Sequence, residues 1–260
     1  MSSTRSIKTL GLAGLMAMMV VASIGAVGAS AAEPAVYHCV AKTGGKWNAG
    51  CTAAGTTFEK EPVPAGAKIA FTSKSGVKRL WSTESGLKAE VECTKDSDEG
   101  ELTGARTDTV KIKFTGCKEI EPFAGACKST GANAEEIVTK QLKSKLVWLK
   151  AETLKGLLLE AESGDLADFK CPGLLGEIEL KVTGPVLGEI PSSQYNKMMT
   201  KYTLAFACEP AKSTKQKYTM YEEPPGTPIT GKHLLSNGHE ACEEEVTPDE
   251  ITFAEPVEVR

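Results

Sequence analysis

Beyond residue 31, polar and apolar residues alternate with period two through most of the chain. In TVKIKFTG (109–116), Val110, Ile112 and Phe114 share one face, and Lys111 and Lys113 share the other. Ile178, Leu180 and Val182 stand against Glu177, Glu179 and Lys181 in the same way. Tyr202, Leu204 and Phe206 repeat the pattern, as do Ile251 and Phe253. Such alternation marks half-buried antiparallel strands, and Gly, Pro, Ser and Thr punctuate the runs as turns require. The expected fold class is all-β, an antiparallel sandwich or barrel-like domain braced by disulfides. One segment carries both periods. In AEEIVTKQLKSKLVWLKAETLKGLLLEAES (134–163), Val138, Leu142, Leu146 and Leu149 have helical spacing, and Val138, Leu142, Leu146 and Trp148 share a strand face. Its Ala, Glu, Lys and Leu favour helix by propensity. Strands on both sides and Gly156 within it favour two or three strands, with a short helix in 134–155 as the alternative.

The first thirty-one residues read differently. Arg5 and Lys8 precede an uncharged, mostly apolar run from Leu10 to Val27, and Ala29-Ser30-Ala31 gives the small-x-small pattern that a signal peptidase cuts. A signal peptide over 1–31 is expected, with a mature chain starting at Ala32 and a retained N-terminal anchor as the alternative. Removal leaves 260 − 31 = 229 residues and a net charge of 28 − 34 = −6, enough chain for a sizeable core. Lysines and carboxylates interleave throughout. No basic, aromatic-studded patch for nucleic acid and no later membrane span is present in the sequence. Pro-rich EKEPVPAG (59–66) separates a Cys-bounded hairpin segment, 32–62, from a main β domain, 63–260, and YEEPPGTP (221–228) reads as a surface loop.

All eight cysteines, at 39, 51, 93, 117, 127, 171, 208 and 242, follow the signal. An even number in an exported chain points to disulfides. SGLKAEVEC (85–93) and SGDLADFKC (163–171) echo each other, which gives Cys93 and Cys171 equivalent positions and makes them an expected pair. Cys39 and Cys51 flank a Gly44-Gly45 turn and would clip a hairpin. Cys117 and Cys127 would staple the loop GCKEIEPFAGACKSTG (116–131), which leaves Cys208 with Cys242. The duplicated short-spaced knuckles of zinc sites and the C-x-x-C of redox pairs do not occur.

Candidate chemistry is thin. His233, His239 and Cys242 lie close in sequence but match no ligand spacing, and His38 adjoins Cys39. DSDEGE (96–101) hints at a calcium loop, with Gly100 one place early and no matching Glu, so solvated surface is expected. No nucleophile elbow, P-loop or H-E-x-x-H is found. Catalytic, cofactor and metal residues are therefore expected to be none. Trp148 falls on an apolar face, whereas Trp47 and Asn48 in the clipped hairpin are the candidate binding surface.

C-V-A-K…G-K-W-N-A-G-C, V-E-C-T…G-E-L-T-G-A…V-K-I-K-F-T-G-C and C-K-S-T-G-A…E-I-V-T-K, taken together over residues 37–190, resemble uncharacterised exported proteins of high-GC Gram-positive bacteria. The resemblance implies a secreted β-rich domain and supplies no activity or ligand. The expected function is that of a secreted or cell-envelope-associated non-catalytic β domain with a structural, adhesive or binding role. The expected partner is cell-wall glycan or another extracellular protein. A polysaccharide hydrolase using two carboxylates and a glycan-binding module centred on Trp47 are the alternatives.

Overall fold

Each period-two segment forms a strand in the computed structural model, which describes residues 32–84, 86–224 and 226–260. The expected signal peptide, 1–31, lies outside the described residues. Eight strands curl into a nearly closed antiparallel barrel. In spatial order they are Val186–Ile190, Leu154–Ala161, Leu142–Lys150, Thr107–Thr115, Lys95–Leu102, Ile69–Lys74, Asp249–Val259 and Met199–Leu204. The first and last meet just past their ends. Glu189 N–H donates to the Ala205 carbonyl at 2.8 Å, and Ala205 N–H returns the bond at 3.0 Å.

A second eight-stranded sheet runs Ala167–Gly173, Gly176–Thr183, Leu234–Ser236, His239–Glu245, Lys78–Glu84, Leu87–Cys93, Lys118–Glu121 and Gly125–Ala126. Its ends also join. Lys128 N–H donates to the Lys170 carbonyl at 2.9 Å and Lys170 N–H to the Lys128 carbonyl at 2.8 Å. The N-terminal hairpin, Val36–Ala41 with Phe58–Pro62, continues the barrel sheet by pairing Val36 with Val259. Residues 31–260 thus make one compact unit in which the first and last strands are neighbours.

The core is shared. Phe71, Val110, Ile112, Leu142, Leu204 and Ile251 from the barrel join Val91, Phe169, Leu180, Val182 and Leu234 from the second sheet in one apolar cluster. Barrel register accounts for Gly100, which sits opposite Phe71. A Cβ there would lie 2.3 Å from the Phe71 ring and 2.5 Å from the Thr109 carbonyl oxygen.

The segment 134–163 forms strands Glu136–Val138, Leu142–Lys150 and Leu154–Ala161, and no α-helix occurs among the described residues. Its mixed period has a physical cause. Leu142 and Leu146 face the barrel interior, whereas Val147 and Leu149 pack outside the wall against Leu158, Leu187 and Tyr221. A strand buried on both faces loses the alternation that identifies strands.

Four disulfides are present, and no free cysteine. Cys39–Cys51 and Cys208–Cys242 pair as expected. The other two expected pairs, Cys93 with Cys171 and Cys117 with Cys127, are replaced by Cys93–Cys117 and Cys127–Cys171. The second sheet supplies the reason. Register pairs Glu92 with Lys118, Lys118 with Ala126, and Lys128 with Lys170, so Cys93, Cys117, Cys127 and Cys171 stand abreast in one cross-strand row. Adjacent strands are about 4.8 Å apart, so the outer two are separated by roughly 14 Å, beyond disulfide reach. Pairing the inner two would strand the outer two. Only neighbour with neighbour, from each end, bonds all four.

Candidate functional site: a buried carboxylate cluster between the two sheets

Four chain crossings between the sheets converge at one place: Lys74 to Lys78, Cys93 to Lys95, Thr115 to Lys118, and Glu245 to Asp249. Strand-end side chains from three of these crossings point inward. Lys78 is 3% exposed. Its ammonium lies 2.6 Å from Asp96, 2.8 Å from Glu245, 3.1 Å from Asp249 and 3.5 Å from Glu243. The rings of Phe114 and Phe206 close over it, each centroid 5.6 Å away. Backbone groups hold the acids in turn. Ser75 N–H donates to Asp96 Oδ1 at 2.6 Å and Phe206 N–H to Glu245 Oε2 at 3.1 Å. Ser73 donates its hydroxyl to Asp98. One lysine therefore faces more carboxylates than it can neutralise.

Burial governs the protonation of the group. It works against a charged Lys78, but Asp249, Glu245, Glu243 and Asp96 outweigh it and hold the ammonium pKa well above its usual value. Burial raises Glu245 to about 9 and, with the neighbouring Asp96 charge, Asp98 to about 7. Asp249 and Glu243 are also raised by burial.

The cluster opens on a cavity of about 60 Å³ inside the barrel, whose lining includes Ser73, Asp98, Asp108, Ser144 and Asp249 among apolar side chains. Asp108 reaches it from a separate position on Thr107–Thr115. It is 7% exposed, accepts the Ser144 hydroxyl, and is raised to about 6 by burial despite that bond. The Oδ1 atoms of Asp98 and Asp108 have no hydrogen-bond donor from the protein, whereas Glu245 and Asp249 are hydrogen-bonded to each other.

The expected surface character of DSDEGE (96–101) is thus corrected: Asp96 and Asp98 are buried, because the segment is a strand whose even positions face inward. Parity along the strands carried the signal. Asp108 is in phase with Val110 and Ile112, Asp249 with Ile251 and Phe253, and Lys78 with Leu80. Residue type argued for surface, and strand phase argued for core.

The other candidates are scattered. Trp47 is half-buried, with the Lys60 ammonium 4.0 Å over its ring, and Lys60 is itself paired with Glu258. Asn48 is committed to its own loop, where its Oδ1 accepts the N–H groups of Thr52 and Ala53, each at 3.1 Å. Trp148 is buried as its face implied. Trp81 is buried against Cys208–Cys242 and donates to Glu244 at 3.0 Å. His38 lies 3.2 Å from Glu255 and His233 3.4 Å from Glu240, while Cys242, bonded to Cys208, has no thiolate to offer a metal. No helix among the described residues is long and apolar enough to cross a membrane. No family model, curated protein or solved structure matches the chain.

Proposed function

We propose that this chain is an exported, non-catalytic β domain, secreted or held at the cell envelope, whose role there is structural or adhesive. One observation carries the choice against a hydrolase. Asp98 and Asp108, whose protonation burial displaces upward, lie inside the barrel around a cavity of about 60 Å³, whereas pockets that take even small organic ligands run to about 300–1,000 Å³. A sugar cannot reach these carboxylates. The cluster ties the two sheets together at the point where the chain passes between them. The disulfides support the exported setting, because an oxidising compartment is where such bonds form and persist. The half-covered Trp47 ring and the committed Asn48 amide weigh against a flat stacking platform at that hairpin.

Expression of the full chain in a secreting Gram-positive host tests this reading. Intact mass of the protein in medium and wall fractions is expected to start at Ala32 and to lie eight hydrogens below the reduced mass, as four disulfides require. The same protein is expected to release no reducing ends from wall polysaccharide. Turnover that Asp98→Asn and Asp108→Asn both abolish would establish the hydrolase instead.

A further inference from the structure

In CPGLLGE (171–177) two leucines occupy a hairpin tip, where turn chemistry ordinarily puts small or polar residues. Gly173 pairs with Gly176, and Gly176 takes the positive φ of the turn, 134°, so neither leucine is needed to shape it. Neither packs, since Leu174 is 79% exposed and Leu175 100%. Among the described residues six large apolar side chains are exposed, and Leu87 and Ile120 bring to four the number at one end of the second sheet. Register shows why they gather. Glu90 pairs with Glu121 and Lys128 with Lys170, which carries Leu87, the loop 121–125 and Leu174 to one level, within roughly 14 Å around the ring. Gly125 passes so close to the hairpin that a Cβ would lie 2.5 Å from Pro172 Cγ. This end lies away from the crossings to the barrel. We propose that it inserts reversibly into a lipid bilayer, with Leu174 and Leu175 as its leading edge.

Area and charge select a bilayer over a protein partner. A stable complex, or a dimer of this chain, buries about 800 Å² on each side. At roughly 100 Å² for a leucine-sized side chain, these four, two of them half-exposed, offer about 300 Å². A bilayer sets no such minimum. Leu174 and Leu175 bring about eight side-chain carbons, against about fourteen in a myristoyl chain, which binds bilayers reversibly at about 10⁴ M⁻¹. The exposed parts of Leu87 and Ile120 narrow that gap. Charge around the tips is mixed: Lys88, Lys118 and Lys170 stand with Glu121 and Glu177, and Lys170 lies 3.8 Å from Glu177. Adsorption to an anionic surface draws on clustered lysines, whereas zwitterionic headgroups carry both signs, as this rim does. The proposal rests on the envelope reading above only for bringing lipid within reach.

The test is flotation of the secreted protein with phosphatidylcholine vesicles at about 1 mM accessible lipid. An association constant of about 10³–10⁴ M⁻¹ is expected, so roughly half or more of the protein should float. Leu174→Ser with Leu175→Ser is expected to weaken binding at least about tenfold and to leave the circular dichroism and thermal midpoint unchanged, since both positions are exposed. Val246→Ser, 57% exposed in a different turn, should bind as the wild type does. Leu175→Trp reads the tip directly: its emission should shift to the blue with vesicles and be quenched by brominated acyl chains. That readout and the serine comparison hold whether or not the apolar run 10–27 is retained. No flotation of the wild type, flotation unchanged in the serine variant, or Leu175→Trp emission indifferent to vesicles would overturn the proposal. Binding confined to anionic vesicles and lost in high salt would overturn it too, as would a dimer in sedimentation that the serine pair dissolves. Such a failure leaves the mass and turnover tests of the envelope reading untouched.

Discussion

Replacing Lys78 by Met is expected to cost about 3–5 kcal/mol of stability, the range found when one member of a buried ion pair is removed. An exposed pair would cost about 0–1 kcal/mol. The difference rests on geometry: Lys78 is 3% exposed, with four carboxylates between 2.6 and 3.5 Å from its ammonium. Met keeps most of the side-chain volume, so packing loss contributes little. The magnitude falls toward the lower end at neutral pH, because Glu245, raised to about 9, already carries a proton there. The pH dependence has a definite sign. A carboxylate raised by folding destabilises the native state above its unfolded value, near 4, and most of all above its folded value. Loss of Lys78 raises the remaining acids further, so the deficit should shrink as pH falls from about 8 to 5. Guanidinium unfolding with disulfides intact measures it, with Lys74→Met, 74% exposed, as the control expected within about 0.5 kcal/mol. For a chain of this size the thermal midpoint should drop by about 6–20 °C. A Lys78→Met midpoint indistinguishable from that of Lys74→Met would refute the buried-pair account.

A non-reducing peptide map is expected to yield Cys93–Cys117 and Cys127–Cys171 peptides; a Cys117–Cys127 peptide would break the cross-strand row. Cys39→Ser with Cys51→Ser should cost about 3 kcal/mol on the chain-entropy model for so short a loop, measured by urea unfolding. Gly100→Ala should cost about 1–3 kcal/mol or more through collision with Phe71 and the Thr109 carbonyl, and a neutral result would mean the barrel wall yields freely. Burial pushes the Glu189 carboxyl up, but the Tyr218 hydroxyl at 2.6 Å and the Lys217 ammonium at 3.0 Å outweigh it and hold the pKa below the usual range. That stabilisation exists above the unfolded value, about 4.3, and is lost as pH falls through the lowered one. Tyr218→Phe should therefore cost about 1 kcal/mol at pH 7, discounted for partial exposure, and almost nothing at pH 3, as unfolding at both pH values would show.

Strand phase made most of the architecture legible. Val110, Ile112 and Phe114, like Tyr202, Leu204 and Phe206, announced their faces, because one side of each strand meets the core and the other meets water. Segment 134–163 was ambiguous for the opposite reason, since the outer cluster around Tyr221 buries its second face. The disulfide row was illegible for a topological reason. Which cysteines stand abreast depends on Lys128 meeting Lys170, a contact between strands far apart in sequence. The acidic cluster stood half in view. Asp108 and Asp249 were in phase with apolar neighbours, yet nothing local could reveal that their strands converge on Lys78.

Both sheets return to their own beginnings, through Glu189 with Ala205 and through Lys128 with Lys170. A flat sheet of so many strands would offer rows of unclaimed amides along its margins, on which another chain could template itself. Here the outlying pieces are short and carry proline, Pro62 in Phe58–Pro62 and Pro228 in Thr227–Ile229. Proline lacks the N–H that a growing ladder needs. For a neighbouring copy to recruit this chain into a fibre, one ring must first be broken open, so resistance to that fate is built into the closure itself.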